Sequence, residues 1–403
     1  MHGQKKFCVN NLTLKVSGNS LSMNKHLTSD VLIIGGGLHG TSTALHLRRK
    51  GVTVRVIEKH FPGRFASGMN AGGVRRLGRH LAEIPLSVAA MEVWHEMASF
   101  IGDDCGFHKV GQVKIAENDT EMKALETRVQ TVQALGYEHE ELVGDNELRG
   151  LVPAAGRHCV GAIVCRGDGA ASPIRTSKAF WQNAIEEGVQ YELGNQATEI
   201  EHTNDLWRVR VGGDNFEAPV LVNCSGAWGD QIAAMMGDYA PLSVEALTMM
   251  VTSKMERFIK PVCGLASGGL SFKQSEEGTL LIGGGHQGIP NRDQEIAEVD
   301  ASSMAASATI VSRVFPQLKE IKVARAWCGL EGKMPDEIPV IGASENSKDA
   351  YHAFGFCGHG FQLSPIVGRL IAEEIVDGKS SLPIETFSIS RFSKTKNGIS
   401  LSN

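Results

Sequence analysis

Three glycines set the first chemical constraint. Gly35, Gly37 and Gly40 stand in the spacing G-x-G-x-x-G within the run Gly35-Gly36-Gly37-Leu38-His39-Gly40. After a strand and at the start of a helix, such a run holds the pyrophosphate of a dinucleotide. Gly35 permits a tight turn, Gly37 lets the backbone approach the phosphates, and Gly40 lets helix and strand pack closely. The helix start, at Leu38 and His39, offers free N–H groups and a positive dipole to the anion. Glu58 follows Gly40 by eighteen residues and is placed to accept hydrogen bonds from ribose hydroxyls. Lys59 beside it is a further expected cofactor contact. A carboxylate there repels a 2′-phosphate, which disfavours NADP.

The elements needed to position these groups are legible around them. Residues 30–34, Asp-Val-Leu-Ile-Ile, form a short apolar run ended by glycine, predicted as a buried parallel strand. Residues 41–50 have helical composition, with Leu38, Leu45 and Leu47 available to face a sheet. Gly51 ends that helix, and residues 52–57 alternate as a second strand. Strand, helix, strand and terminal Glu together are strong evidence for a dinucleotide, and do not by themselves separate FAD from NAD.

Composition narrows the rest. The chain has 403 residues, enough for one large core or two moderate ones, and its formal net charge of −5 gives no reason to expect nucleic acid. No stretch approaches the roughly 20 apolar residues that span a bilayer. The eight cysteines include no CxxC pair, so neither a zinc nor an iron–sulfur site is expected within the chain, and a reducing cytoplasm fits. Residues 1–28 read as a disordered leader, with Met23 an alternative start.

Three further segments carry small residues of the kind that admit a large flat cofactor. The first runs Ala66-Ser67-Gly68-Met69-Asn70-Ala71-Gly72-Gly73-Val74-Arg75-Arg76, and the second is Val220-Leu-Val-Asn-Cys-Ser225-Gly226-Ala-Trp228. The third is a pair: Trp327-Cys328-Gly329-Leu-Glu-Gly-Lys-Met-Pro335-Asp336-Glu-Ile-Pro339-Val-Ile-Gly342, then Phe354-Gly355-Phe-Cys-Gly358-His359-Gly360-Phe361-Gln362-Leu-Ser-Pro. In this order, over residues 30–392, the chain resembles the glycine, sarcosine and D-amino-acid oxidoreductases, the DAO-type flavoproteins.

That resemblance implies FAD as the cofactor. It places Ser67, Gly68, Asn70, Ala71, Gly72 and Gly73 beside the diphosphate and ring, with Arg75 near the isoalloxazine. Ser225, Gly226 and Trp228 would return to the adenosine end. Gly329, Gly355, Gly358, His359, Gly360, Phe361 and Gln362 would lie against the ring, where turn N–H groups stabilise negative charge on its reduced form. The implied reaction is oxidation of the C–N bond of a small amino acid or secondary amine. Hydride passes from the carbon next to a neutral amine to flavin N5, and the imine hydrolyses. Arg75, His286, His359 and Gln362 are the candidates for the substrate side, with Arg76, Arg79 and Lys273 as further anchors for a carboxylate.

The chain also departs from those relatives. Where some of them bind FAD through a cysteine seven residues before the Asp of the Pro-Asp segment, this chain has Gly329, so non-covalent FAD is expected. Where they have a lysine after Gly-His-Gly-Phe, it has Gln362. The segment 279–286, Thr-Leu-Leu-Ile-Gly-Gly-Gly-His, lacks the lysine that promotes reaction with O2. A dehydrogenase passing electrons to a protein or quinone is therefore expected over an oxidase.

The expected fold is α/β, with a discontinuous Rossmann-like FAD-binding domain (29–80, 166–234 and 321–403). A mixed antiparallel-sheet substrate domain (81–165 and 235–320) covers the flavin. Three alternatives stand beside the main reading. One is the flavin subunit of a hetero-oligomeric amine, opine or hydroxyproline dehydrogenase with iron–sulfur centres on a partner, reaching a membrane only through that partner. The second is a peroxide-producing oxidase of D-amino acids, glycine or sarcosine. The third is a non-catalytic flavoprotein scaffold.

Overall fold

The computed structural model describes residues 26–268, 271–320 and 322–397. Strand Val31–Ile34 is buried along its whole length, as a central parallel strand covered on both faces must be. It lies between Val54–Glu58 and Val220–Asn223, parallel to both. The full sheet has six strands in the order Val340–Ala343, Ala350–Phe354, Val220–Asn223, Val31–Ile34, Val54–Glu58, Gln190–Leu193. Its outermost pair, Val340–Ala343 with Ala350–Phe354, is antiparallel.

Helix Leu38–Arg49 buries Leu38, Leu45 and Leu47 as its spacing predicts. Its other cover is helix Gly360–Asp377. The two helices cross closely, because a Cβ at Gly368 would collide with Ser42. Strands from residues 31 to 354 therefore share one sheet.

A second sheet of eight strands faces the first. Its order is Val323–Lys333, Ser243–Thr252, Leu280–Gln287, Ser271–Gln274, Val262–Leu265, Gln112–Ala116, Gly161–Cys165, Glu141–Gly144. One boundary moves: Val323–Lys333, assigned by sequence to the cofactor-binding part, hydrogen-bonds along Ser243–Thr252 in this second sheet. Its last residue bridges to Phe356, which ties the sheet to the glycine-rich turn.

A four-stranded sheet takes His26–Thr28 beside Asp214–Ala218, followed by Leu206–Val211 and Ala197–Thr203. The leader expected at 1–28 thus lies outside the described residues up to 25, and 26–28 are a strand. Strands Asp214–Ala218 and Val220–Asn223 belong to different sheets and are separated by Pro219, which has no N–H for a ladder. Helix Asp119–Ala134 is capped by the Asn118 side chain, which accepts from Glu121 N–H.

Candidate functional site

A cavity of about 780 Å³ lies between the six- and eight-stranded sheets, lined from the fingerprint glycines to the second sheet. That volume is of the size that encloses cofactors. At one end, Gly35 turns the chain with φ +101°, and a Cβ at Gly40 would collide with the Gly35 carbonyl. The N–H of Leu38 donates to Ser67 Oγ at 2.9 Å, so the 66–73 segment closes over the helix start. Glu58 accepts from Gly36 N–H at 2.7 Å and from His60 N–H at 2.8 Å, one bond on each carboxylate oxygen. Burial pushes its carboxyl up, opposed by those two N–H bonds. Glu58 itself lines the cavity, with acceptor capacity left over for a ligand hydroxyl. Lys59 stands 3.0 Å from the centroid of the Trp228 ring and is paired with Glu295 at 2.6 Å.

The His39 ring nitrogens are shielded from solvent, and burial lowers its pKa to about 3, opposed by the Gly360 backbone beside it. It stacks flat on Phe356 at 3.6 Å between centroids, joining the helix start to the 355–360 turn.

The other expected contacts sit as follows. Asn70 accepts from Gly72 N–H at 2.7 Å and donates to Ala66 and Ser67 carbonyls, holding the loop in which Ala71 and Gly73 line the cavity. Gly68 is inside the short helix Ala66–Met69 and packs on Gly63. Ser225 donates to Asn223 at 2.6 Å, and with Gly226 and Trp228 it lines the same cavity. Gly329 packs on Met69, while Gly355, Gly358, His359, Gly360 and Phe361 all line the cavity. His359 Nδ1 is 3.1 Å from the buried Glu83 carboxylate. Arg75 lines the cavity and donates to the Leu77 carbonyl at 2.6 Å.

Two substrate-side candidates have protein partners in place. His286 lies on strand Leu280–Gln287, whose residues 283, 284, 285 and 287 line the cavity while His286 does not. Its ring pairs with Ser307 at 2.8 Å. Gln362 is fully buried below the turn. Its amide donates to Ser87 O at 2.8 Å and accepts from Arg79 at 3.1 Å. Of the proposed carboxylate anchors, Arg76 is paired with Asp168 and Arg79 is buried on Gln362 and Arg75 O. Lys273 is half-buried with no anion against it among the described residues, and desolvation brings its pKa down to about 8. It stands directly opposite Leu281, on the neighbouring strand Ser271–Gln274.

Sequence reasoning missed the charges that the second sheet brings to the cavity wall: Glu245 and Glu331 at one edge, Lys114 near the other. The available signal was a charged residue inside an otherwise apolar or glycine-rich strand, as in Gln112–Ala116 and Val323–Lys333. Cys328 lies against Thr248 and the Glu298 carbonyl. Cys357 reaches the cavity with its thiol pushed up to about 12 by burial.

Among the described residues no helix is long and apolar enough to cross a membrane. The family model for FAD dependent oxidoreductases (DAO) matches residues 30–374. The B chain of opine oxidase from Rhizobium meliloti is 27% identical over 376 residues, covering 90% of this chain and 97% of that protein. The beta chain of sarcosine oxidase from Rhizobium meliloti is 24% identical, covering 91% and 88%. The crystal structure of L-proline dehydrogenase from P. horikoshii superposes with a TM-score of 0.84 at 26% identity, covering 92% of this chain and 99% of that one.

Proposed function

The chain belongs to the DAO family of FAD-dependent oxidoreductases, and from that premise we propose that it oxidises the C–N bond of a small amino acid or secondary amine. FAD supplies the two-electron acceptor for such a reaction. Everything else falls to the protein. The fingerprint turn and Ser67 hold the phosphates, Glu58 takes the ribose, and the 66–73 loop and 355–360 turn close on the ring. Leu247, Met249 and Leu330 line the cavity and exclude water from the reacting carbon. Arg75 brings positive charge to the ring side, where it can orient a carboxylate or stabilise the reduced cofactor.

The observation that carries the reading is the continuity of one cavity from the phosphate cradle to a polar wall on the second sheet. We further infer that electrons leave to a partner protein or quinone instead of O2. The lysine-free strand Leu280–Gln287 supports this, and relatives named as subunits of larger enzymes favour a partner chain. Non-covalent FAD is favoured because Gly329 occupies the linkage register and burial raises the Cys328 thiol. The test is an anaerobic screen of amino acids and N-alkyl amines for bleaching of the flavin absorbance, followed by acid precipitation. Bleaching by an amine and yellow supernatant are expected. A flavin that no amine reduces overturns the catalytic reading, and colour retained in the pellet overturns the non-covalent one.

A further inference from the structure

Strands Ser243–Thr252 and Val323–Lys333 bring Glu245 and Glu331 directly opposite each other, with both residues lining the cavity. Like charges in that register repel, and the two carboxylates are answered unequally. Glu245 has Lys333 at 3.3 Å and the Gln287 amide at 2.8 Å. Lys333 is shared with Glu337 at 3.0 Å. Glu331 receives one bond, from Gly358 N–H at 2.8 Å, and no Lys, Arg or His pairs with it among the described residues. Leu247 flanks the same point of the turn. Burial, and Glu245 more weakly, push the Glu331 carboxyl up to about 7. A half-buried carboxylate on the wall of a ligand cavity, facing a second carboxylate and lacking a counter-cation among the described residues, is a site for a cation from outside the chain.

We propose that Glu331 selects the substrate by holding a cationic group on it, an alkylammonium or guanidinium separate from the amine that is oxidised. The inference rests on the amine-oxidising reading above. The held group cannot be the reacting nitrogen: a carboxylate favours the protonated amine, whereas loss of hydride from the neighbouring carbon needs the neutral one. The substrate class is therefore a diamine, a basic amino acid or an N-alkylated derivative of one. Arg75 and Lys114, on the cavity wall away from this strand pair, remain for a carboxylate.

The experiment uses FAD-loaded wild type, Glu331→Gln and Glu331→Asp. Anaerobic flavin reduction gives an apparent Kd and a limiting rate for each of a set of basic substrates and their uncharged analogues. Calorimetry with guanidinium chloride measures cation binding without turnover. In Glu331→Gln the apparent Kd for basic substrates should rise about tenfold or more, the scale of one lost charge-assisted bond. Limiting rate, flavin occupancy and the Kd of uncharged analogues should hold, and Glu331→Asp should keep the preference. An equal Kd for basic substrates in wild type and Glu331→Gln overturns the proposal. Loss of flavin from Glu331→Gln also overturns it, because the carboxylate would then serve the cofactor. If no amine reduces the wild-type flavin, the amine-oxidising reading fails by itself. Guanidinium binding that is present in wild type and lost in Glu331→Gln would still support the cation site, and binding equal in both would overturn it.

Discussion

Glu58 and Glu331 are acids on the wall of one cavity, the first buried and the second half-buried, and they are held in opposite ways. Each oxygen of Glu58 is fixed by a backbone N–H from the strand–helix unit around it. Glu331 has one such bond and a second carboxylate opposite. The first arrangement suits a ligand that never changes, because the donors come from the backbone and are set by local geometry. The second leaves charge uncompensated until a ligand arrives, so that occupancy by the right molecule relieves a cost already present. The nucleotide end is built for permanence and the sheet wall for discrimination.

The sharpest way to break this contrast is Glu58→Arg. It replaces an acceptor for two hydroxyls with a cation and loses charge-assisted bonds of about 1.5–3 kcal/mol each. FAD affinity measured by fluorescence titration should fall by about 100-fold or more, and unchanged affinity would remove Glu58 from the site. Next in size is Gln362→Leu. It strips the fully buried Arg79 of an acceptor and Ser87 O of a donor, so denaturant unfolding should show a loss of about 1–3 kcal/mol. Substrate KM should hold, and a large KM change with intact stability would return Gln362 to the substrate side.

A smaller effect concerns the acceptor. Substrate-reduced enzyme should reoxidise slowly in air and quickly with a phenazine or quinone. Lys273→Met should leave the air reaction as slow as before. A further fall in stopped flow would show that Lys273 supplies the charge its neighbour strand lacks, and fast wild-type reoxidation with stoichiometric peroxide would make the protein an oxidase. Smallest of all is His286→Ala, for which steady-state KM and kcat should match wild type, since the ring bonds Ser307 behind the sheet.

The same contrast explains what could be read from the residues alone. The fingerprint works through turns, close approaches and helix starts within a few residues, so Gly35, Gly40 and Glu58 were visible in linear order. The Ser307 partner of His286 was not legible, because it comes from a helix that pairing alone brings to that strand. Nor were Ser87 and Arg79, the partners of Gln362, which come from a distant segment that no local pattern announces. Glu331 was inside a quoted motif, yet its meaning arises only when pairing sets it opposite Glu245.

The close crossing of Leu38–Arg49 with Gly360–Asp377 has a consequence for synthesis. The first helix leaves the ribosome long before the helix that covers it. Until residues 220–223 emerge, the central strand of the nucleotide-binding unit lacks one neighbour, and until residues 360–377 emerge, part of the helix surface has no cover. Such surface invites aggregation or chaperone capture in the interval. Flavin loading waits on that second helix, and a chain terminated before residue 360 is expected to accumulate as insoluble apoprotein.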